Sequence, residues 1–141
     1  MKRIVGGSEM KALDGCTITG MGVPSCVLME RAALCVVEVI KKETADAKRT
    51  LVVCGTGNGG DGVAIARILH LHGYNAEIYM LGNPDHRTKE TRRQLKIAEN
   101  YQVPLVNNLA AGEYTTIVDA IFGVGLDRSI EGKYREVIQA L

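Results

Sequence analysis

The feature that most constrains this chain is the segment GTGNGGDG, residues 55–62, where Gly55, Gly57, Gly59, Gly60 and Gly62 directly follow the apolar run Leu51, Val52, Val53 and Cys54. An uninterrupted apolar run that stops at glycine reads as a parallel strand covered on both faces. The next segment, DGVAIARILHLHG, carries Val63, Ala66, Ile68 and Leu69 and ends at Gly73, which predicts a helix with a glycine stop. Glycines between a strand and a helix let the backbone approach a ligand without a Cβ in the way. At a helix N-terminus the exposed N–H donors and the partial positive charge favour an anion, by about 0.3–1 kcal/mol per exposed charge. A nucleotide-like phosphate ligand is therefore expected on this loop, and a tight turn that binds nothing is the plainer alternative.

Around this unit strands and helices alternate. A short helix is expected over residues 8–18 with Ser8 as its cap, then a break at Gly20, Gly22 and Pro24. Ser25 is expected to cap a second helix through Lys42, whose Val27, Leu28, Ala32, Cys35, Val36 and Val39 predict a largely buried element. A second strand follows over residues 76–81 and a charged helix over 86–101, with Leu95, Ile97 and Ala98 inward. A short third strand is expected over 103–106, a fourth over 115–122, and a last helix from Lys133. Such alternation specifies a parallel sheet with helices on both faces, and 141 residues fit one domain burying roughly 68% of its unfolded surface. In the order 3-2-1-4 the chain reverses direction between the first and fourth strands, and a crevice opens at their C-terminal ends. Both GTGNGGDG and GVGLDR, residues 123–128, lie there.

Composition excludes several classes. With 17 Lys plus Arg against 16 Asp plus Glu the net charge is +1, so no global field would hold a nucleic acid. Arg87, Lys89, Arg92, Arg93 and Lys96, interrupted by Glu90, read as the wet face of a helix. No stretch approaches the ~20 apolar residues of a membrane span, and the N-terminus lacks an apolar signal core. Cys16, Cys26, Cys35 and Cys54 form no CxxC pair and are expected to be buried thiols in a reducing compartment, which places the protein in the cytoplasm. His70, His72 and His86 have no metal-ligand spacing. Met29 and Glu30 read as packing and helix surface.

The loop contains GxGxxG as Gly55, Gly57 and Gly60, but a lone pattern of this kind is unspecific. Leu81, Gly82 and Asn83 supply no acidic residue for a ribose hydroxyl, Glu77 lies at the wrong end of its strand, and no GK[ST] follows the glycines. An ordinary NAD dehydrogenase and a P-loop are thus disfavoured. The oxygens of Asn58 and Asp61 suit a hard cation or substrate hydroxyls, with Asp61 as a simple helix cap the alternative. Asp119 interrupts the apolar run Ile117, Val118, Ala120, Ile121 and Phe122, and a buried carboxylate is costly unless bonded, paired or bound to a cation. Gly123 and Gly125 repeat the close-backbone theme. Arg128 either grips a phosphate with a bidentate fork or lies on a solvated loop.

Taken together, VPSCVLMERAA, VVCGTGNGGDGVAIARIL and IVDAIFGVGLDR, in this order and separation, resemble the YjeF N-terminal family, the NAD(P)H-hydrate epimerases. The resemblance runs from Ser8 to the end of the chain. It implies a Rossmann-like three-layer αβα sandwich with a doubly wound, mainly parallel sheet, and interconversion of the R and S forms of hydrated NADH or NADPH. It also implies a potassium ion held by Asn58 and Asp119, with Asp119 as the catalytic group. Substrate would be bound by Asn58, Gly59, Gly60 and Asp61, and by Gly123, Val124, Gly125, Leu126, Asp127 and Arg128. A homo-oligomer, and a dehydratase as separate partner or fused domain, are further implications. The loop here carries one Asn where the family usually has two, Val124 stands where Thr is common, and Ala33 replaces a usual Gly. The family's next strand, with its DxPSG motif, would lie beyond Leu141, so residues 1–141 are expected to form a domain incomplete at its C-terminal end. Because relatives of this domain also occur in an mRNA-decapping scaffold and an apolipoprotein-binding protein, a catalytically inactive nucleotide-binding or scaffold module is the alternative function.

Overall fold

The computed structural model describes residues 4–44, 49–109 and 113–141. Its strands are β1 (Arg49–Cys54), β2 (Asn75–Met80), β3 (Leu105–Val106) and β4 (Thr116–Ala120), all parallel in the order β3-β2-β1-β4. This is the order expected from the alternation of elements. The helices are α1 (Gly7–Gly15), α2 (Ser25–Glu43), α3 (Gly59–Leu71), α4 (Lys89–Asn100) and α5 (Gly132–Ala140).

Alternation along β1 divides the core. Val52 and Cys54 pack with Val63 and Ala66 of α3 and Ala98 of α4 on one face, while Leu51 and Val53 pack with Val137 of α5 on the other. Helices thus cover both faces of the sheet, and α2 packs mainly on α3. Only Ala33 and Val37 of α2 are buried, in a cluster with Ala64, Ile65 and Ile68 of α3. The expectation of a largely buried α2 is corrected: a helix resting on another helix hides one narrow stripe, and Val27, Leu34, Val36 and Val39 stay exposed. The cysteines follow suit. Cys54 is buried at the end of β1, Cys26 is half-buried, and Cys16 and Cys35 are exposed, against the expectation of four buried thiols.

Three helix starts differ from the sequence reading. The N-cap of α1 is Gly6, whose N–H donates to the Glu9 carboxylate at 2.8 Å, so Ser8 lies inside the first turn; α1 then runs on into a π-helical turn, Cys16–Gly20. Pro24, not Ser25, is the N-cap of α2. The charged helix starts only at Lys89, because Thr88 caps it by accepting from the Thr91 N–H at 3.1 Å and Pro84–His86 form a separate 3-10 turn.

Candidate functional site

At the C-terminal end of β1 the Gly55 N–H donates to the Ala120 carbonyl at 3.1 Å, carrying the β1–β4 pairing into the loops. Asn58 is the N-cap of α3, so the helix begins inside the glycine loop and Asp61 sits at its third position. Asp61 as N-cap is therefore corrected; its N–H donates to the Asn58 carbonyl at 3.2 Å. No side chain caps this end of α3. The first-turn N–H groups and the helix dipole are therefore suited to an anion.

The second loop folds over the first. The Asn58 amide lies directly against Gly123, where any β-carbon would collide with Nδ2. Behind the loop, a β-carbon on Gly62 would lie 2.6 Å from both the Ala120 Cβ and the Cys54 Sγ. That glycine lets α3 sit close on the sheet and so fixes where its N-terminus points.

Between the loops opens a cavity of about 340 Å³. Asn58, Gly123, Gly125, Leu126, Asp127 and Arg128, among the residues singled out in the sequence, line it. The other expected site residues lie elsewhere. Gly59 and Gly60 are buried beneath the loop in the first turn of α3, with Gly60 against Met29 and Thr91. Asp61 is half-buried outside the lining, and burial first, then the Asp14 carboxylate, push its carboxyl above the usual range. Val124 is 87% exposed and packs against Gly7.

Asp119 corrects a premise. It is exposed, because β4 is an outer strand paired among the described residues with β1 alone. Its Oδ1 accepts from the Ile121 N–H at 3.0 Å, which ties the carboxylate to the start of the second loop. Its position in the strand puts it on the same side of the sheet as Ile117 and Ile121, facing α5. Oδ1 is engaged and the carboxylate stays open to solvent, so Asp119 avoids the cost that its apolar neighbours suggested.

Sequence reasoning missed Thr56 and Tyr134, which also line the cavity. Tyr134 stacks on Phe122 with ring centroids 5.3 Å apart. Its spacing to Val137 and Ile138, both packed on the sheet, was the available signal that α5 presents Tyr134 inward. Among the described residues no three His, Cys, Asp or Glu side chains group as metal ligands, and no helix is long and apolar enough to cross a membrane.

The model of the YjeF-related protein N-terminus matches residues 25–141. The chain belongs to this family. Relatives named NAD(P)H-hydrate epimerase include one from Limosilactobacillus reuteri, 47% identical over 142 residues, covering 99% of this chain and 67% of the relative. Another, from Oenococcus oeni, is 47% identical over 137 residues and covers 95% of this chain and 65% of the relative. The chain thus spans about two thirds of the length of these relatives. The crystal structure of yeast ynu0 superposes with a TM-score of 0.81 over 99% of this chain and 64% of that one, at 23% identity, and shows that the fold is shared. Within the YjeF-related family the three sequence motifs acquire one location: the α2 start, the glycine loop and the β4 loop surround the C-terminal edge of the sheet.

Proposed function

We propose that this chain is an NAD(P)H-hydrate epimerase, an isomerase interconverting the R and S forms of hydrated NADH and NADPH. The observation that carries the reading is the joining of the uncapped α3 N-terminus to the β4 loop through Asn58 and Gly123, in a family whose similar members bear that name. The dinucleotide phosphates sit at the α3 N-terminus, and Asn58 of the first loop and Arg128 of the second, both lining the cavity, orient them. Leu126, Asp127 and the backbone of Gly123–Gly125 cover the substrate from the second loop, and the Phe122–Tyr134 pair offers an aromatic wall.

In the hydrate the hydroxyl lies on the carbon beside the ring nitrogen. Protonation of that hydroxyl lets water leave while the nitrogen lone pair forms the C=N bond, giving a planar cation. Water re-adds from either face and loses a proton, so inversion consumes nothing. The Asp119 carboxylate stabilises the cation electrostatically. A potassium ion is the proposed cofactor: the Asn58 Oδ1 and the solvent-open Asp119 carboxylate are oxygen donors of the kind a hard cation takes. It would supply fixed positive charge beside the phosphates.

The same reading places the protein in the cytoplasm with its soluble substrate, with a dehydratase as partner or fused domain and neither nucleic acid nor membrane as ligand. Self-association is supported by the apolar side chains that α1 and α2 leave exposed, among them Met10, Leu13, Val36 and Val39. The decisive test mixes the racemic hydrate with an S-specific dehydratase and follows the R form. Adding this protein is expected to speed R consumption, and Asp119→Ala to cut the gain at least tenfold. No acceleration, with no nucleotide or potassium binding, would leave only the scaffold reading.

A further inference from the structure

Helix α1 buries none of its nine residues, yet it reaches both loops of the candidate site. At its start, a β-carbon on Gly7 would lie 3.3 Å from the Val124 Cβ, in the second loop. Near its other end stands Asp14: burial first, and then this carboxylate, raise the Asp61 carboxyl in the first turn of α3. The helix therefore spans from the second loop to the start of α3, the two parts that meet where Gly123 lies against the Asn58 amide. Beyond α1 the helix changes to the π turn Cys16–Gly20. There the Thr17 hydroxyl donates to the Leu13 carbonyl at 2.8 Å, and the Thr19 hydroxyl to the Gly15 carbonyl at 2.7 Å. Side-chain bonds of this kind compete with the backbone ladder and bend a helix, and π turns are frequent at functional sites. An exposed helix on a deformable turn opens at small cost, because few buried contacts oppose it.

The cavity gives such an opening a use. Gly123, Gly125, Leu126, Asp127 and Arg128 form its wall on the side of the second loop. A ligand covered by that wall enters and leaves by displacing it, and loops that cover a site swing on a few residues that absorb the backbone change. Gly123 and Gly125 suit that role, since neither carries a side chain. Val124 between them is almost fully exposed, and the contact that holds it is the one with Gly7. We propose that α1 is a strap: docked through Gly7 on Val124 it holds the second loop over the cavity, and ligand is exchanged when this contact opens. That the ligand is a nucleotide rests on the epimerase reading; the strap does not.

The test locks the strap. In the full chain, Gly7→Cys and Val124→Cys are combined with Cys16→Ser and Cys35→Ser, which remove the exposed thiols. The two β-carbons stand within a few tenths of an ångström of the about 3.5–4.5 Å that a disulfide requires, so diamide is expected to close the bridge in the folded protein. Hydrogen exchange at residues 123–128 of the ligand-free protein is then expected to slow at least tenfold and to recover with dithiothreitol. Stopped-flow fluorescence with the etheno analogue of NADP+ is expected to show association and dissociation both at least tenfold slower in the oxidised form, with Kd changed less than threefold. A gate moves both rates and spares the equilibrium, whereas a distorted site alters Kd. Gly7→Cys alone, in the same background, is expected not to respond to diamide. Val124→Ala trims an exposed side chain and is expected to raise both rates about threefold, by loosening the clasp. A bridge that does not form in a variant with the parent circular dichroism spectrum overturns the proposal. So do exchange and rates that are equal in the oxidised and reduced forms, a weakened Kd at an unchanged association rate, or parent rates in Val124→Ala. Slowed exchange at 123–128 in a chain that binds no nucleotide refutes the epimerase reading alone.

Discussion

Asp61 shows how much one residue's environment departs from what its motif suggests. In the sequence it closes the glycine loop and reads as a site group; in the fold it sits in the first turn of α3, half-buried and near Asp14. Burial, with the second carboxylate adding to it, raises its pKa, so the native state holds the proton more tightly than the unfolded chain does. In the pH range between the ordinary carboxylate value and the raised one, the unfolded state binds fewer protons and stability falls as pH rises. Asp61→Asn removes this titration. Urea denaturation at a series of pH values is expected to find the variant more stable than the parent at pH 7, with the difference shrinking as pH falls from the raised value to the ordinary carboxylate value and gone below it. A gap independent of pH would assign Asp61 a different role. At this scale the sequence was informative where chemistry interrupts a pattern, as with Asn58 among glycines and Asp119 among aliphatics. For Tyr134 it offered only a helical spacing, whose meaning depends on the face of the sheet against which α5 packs. It also overstated the burial of Asp119, because an apolar run does not reveal whether its strand lies inside the sheet or at its edge.

Elements were legible in order and type because periods of 2 and 3.6 residues, with glycine stops, separate strands from helices. Their starts shifted by a few residues wherever a side chain or proline took over the cap, as Thr88 does before α4 and Pro24 before α2. The failure at α2 is of another kind. Apolar residues around most of a helix indicate that much of it is to be covered, but not by what, and here α3 covers only the Ala33–Val37 stripe. Val36 and Val39, three residues apart on α2, leave an exposed apolar patch that the proposed self-association would cover. Charging it should therefore change the oligomer without harming the fold. Val36→Asp with Val39→Asp is expected to shift sedimentation equilibrium to monomer while the circular dichroism spectrum stays unchanged. A parent that already sediments as a monomer would remove the proposal.

Across the whole molecule, the sheet order was derivable because α3 and α4 each return the chain to a neighbouring parallel strand, and the crevice follows from the jump that places β4 on the other side of β1. What the sequence could not show is that the same close packing that shapes the crevice also seals its foundation. Cys54 ends β1 directly under α3: a β-carbon on Gly59 would lie 3.2 Å from the Cys54 Cβ, and one on Gly62 would lie 2.6 Å from its Sγ. Burial pushes the Cys54 thiol up to about 12, so the reactive thiolate does not form at neutral pH while α3 is in place. Alkylation of Cys54 must then wait for α3 to leave the sheet, which dissolves both halves of the core on that face, and its rate follows the population of an essentially unfolded state. A ligand that binds only the assembled loops lowers that population by the factor 1 + [L]/Kd, so at 100 times Kd labelling should slow about 100-fold. With NADP+ as the probe, site-resolved labelling is expected to show this slowing at Cys54 and unchanged rates at the exposed Cys16 and Cys35. If Cys54 instead reacts as fast as Cys35, α3 opens locally without unfolding, and a loop mounted on so loose a helix could not hold its donors in place for a phosphate.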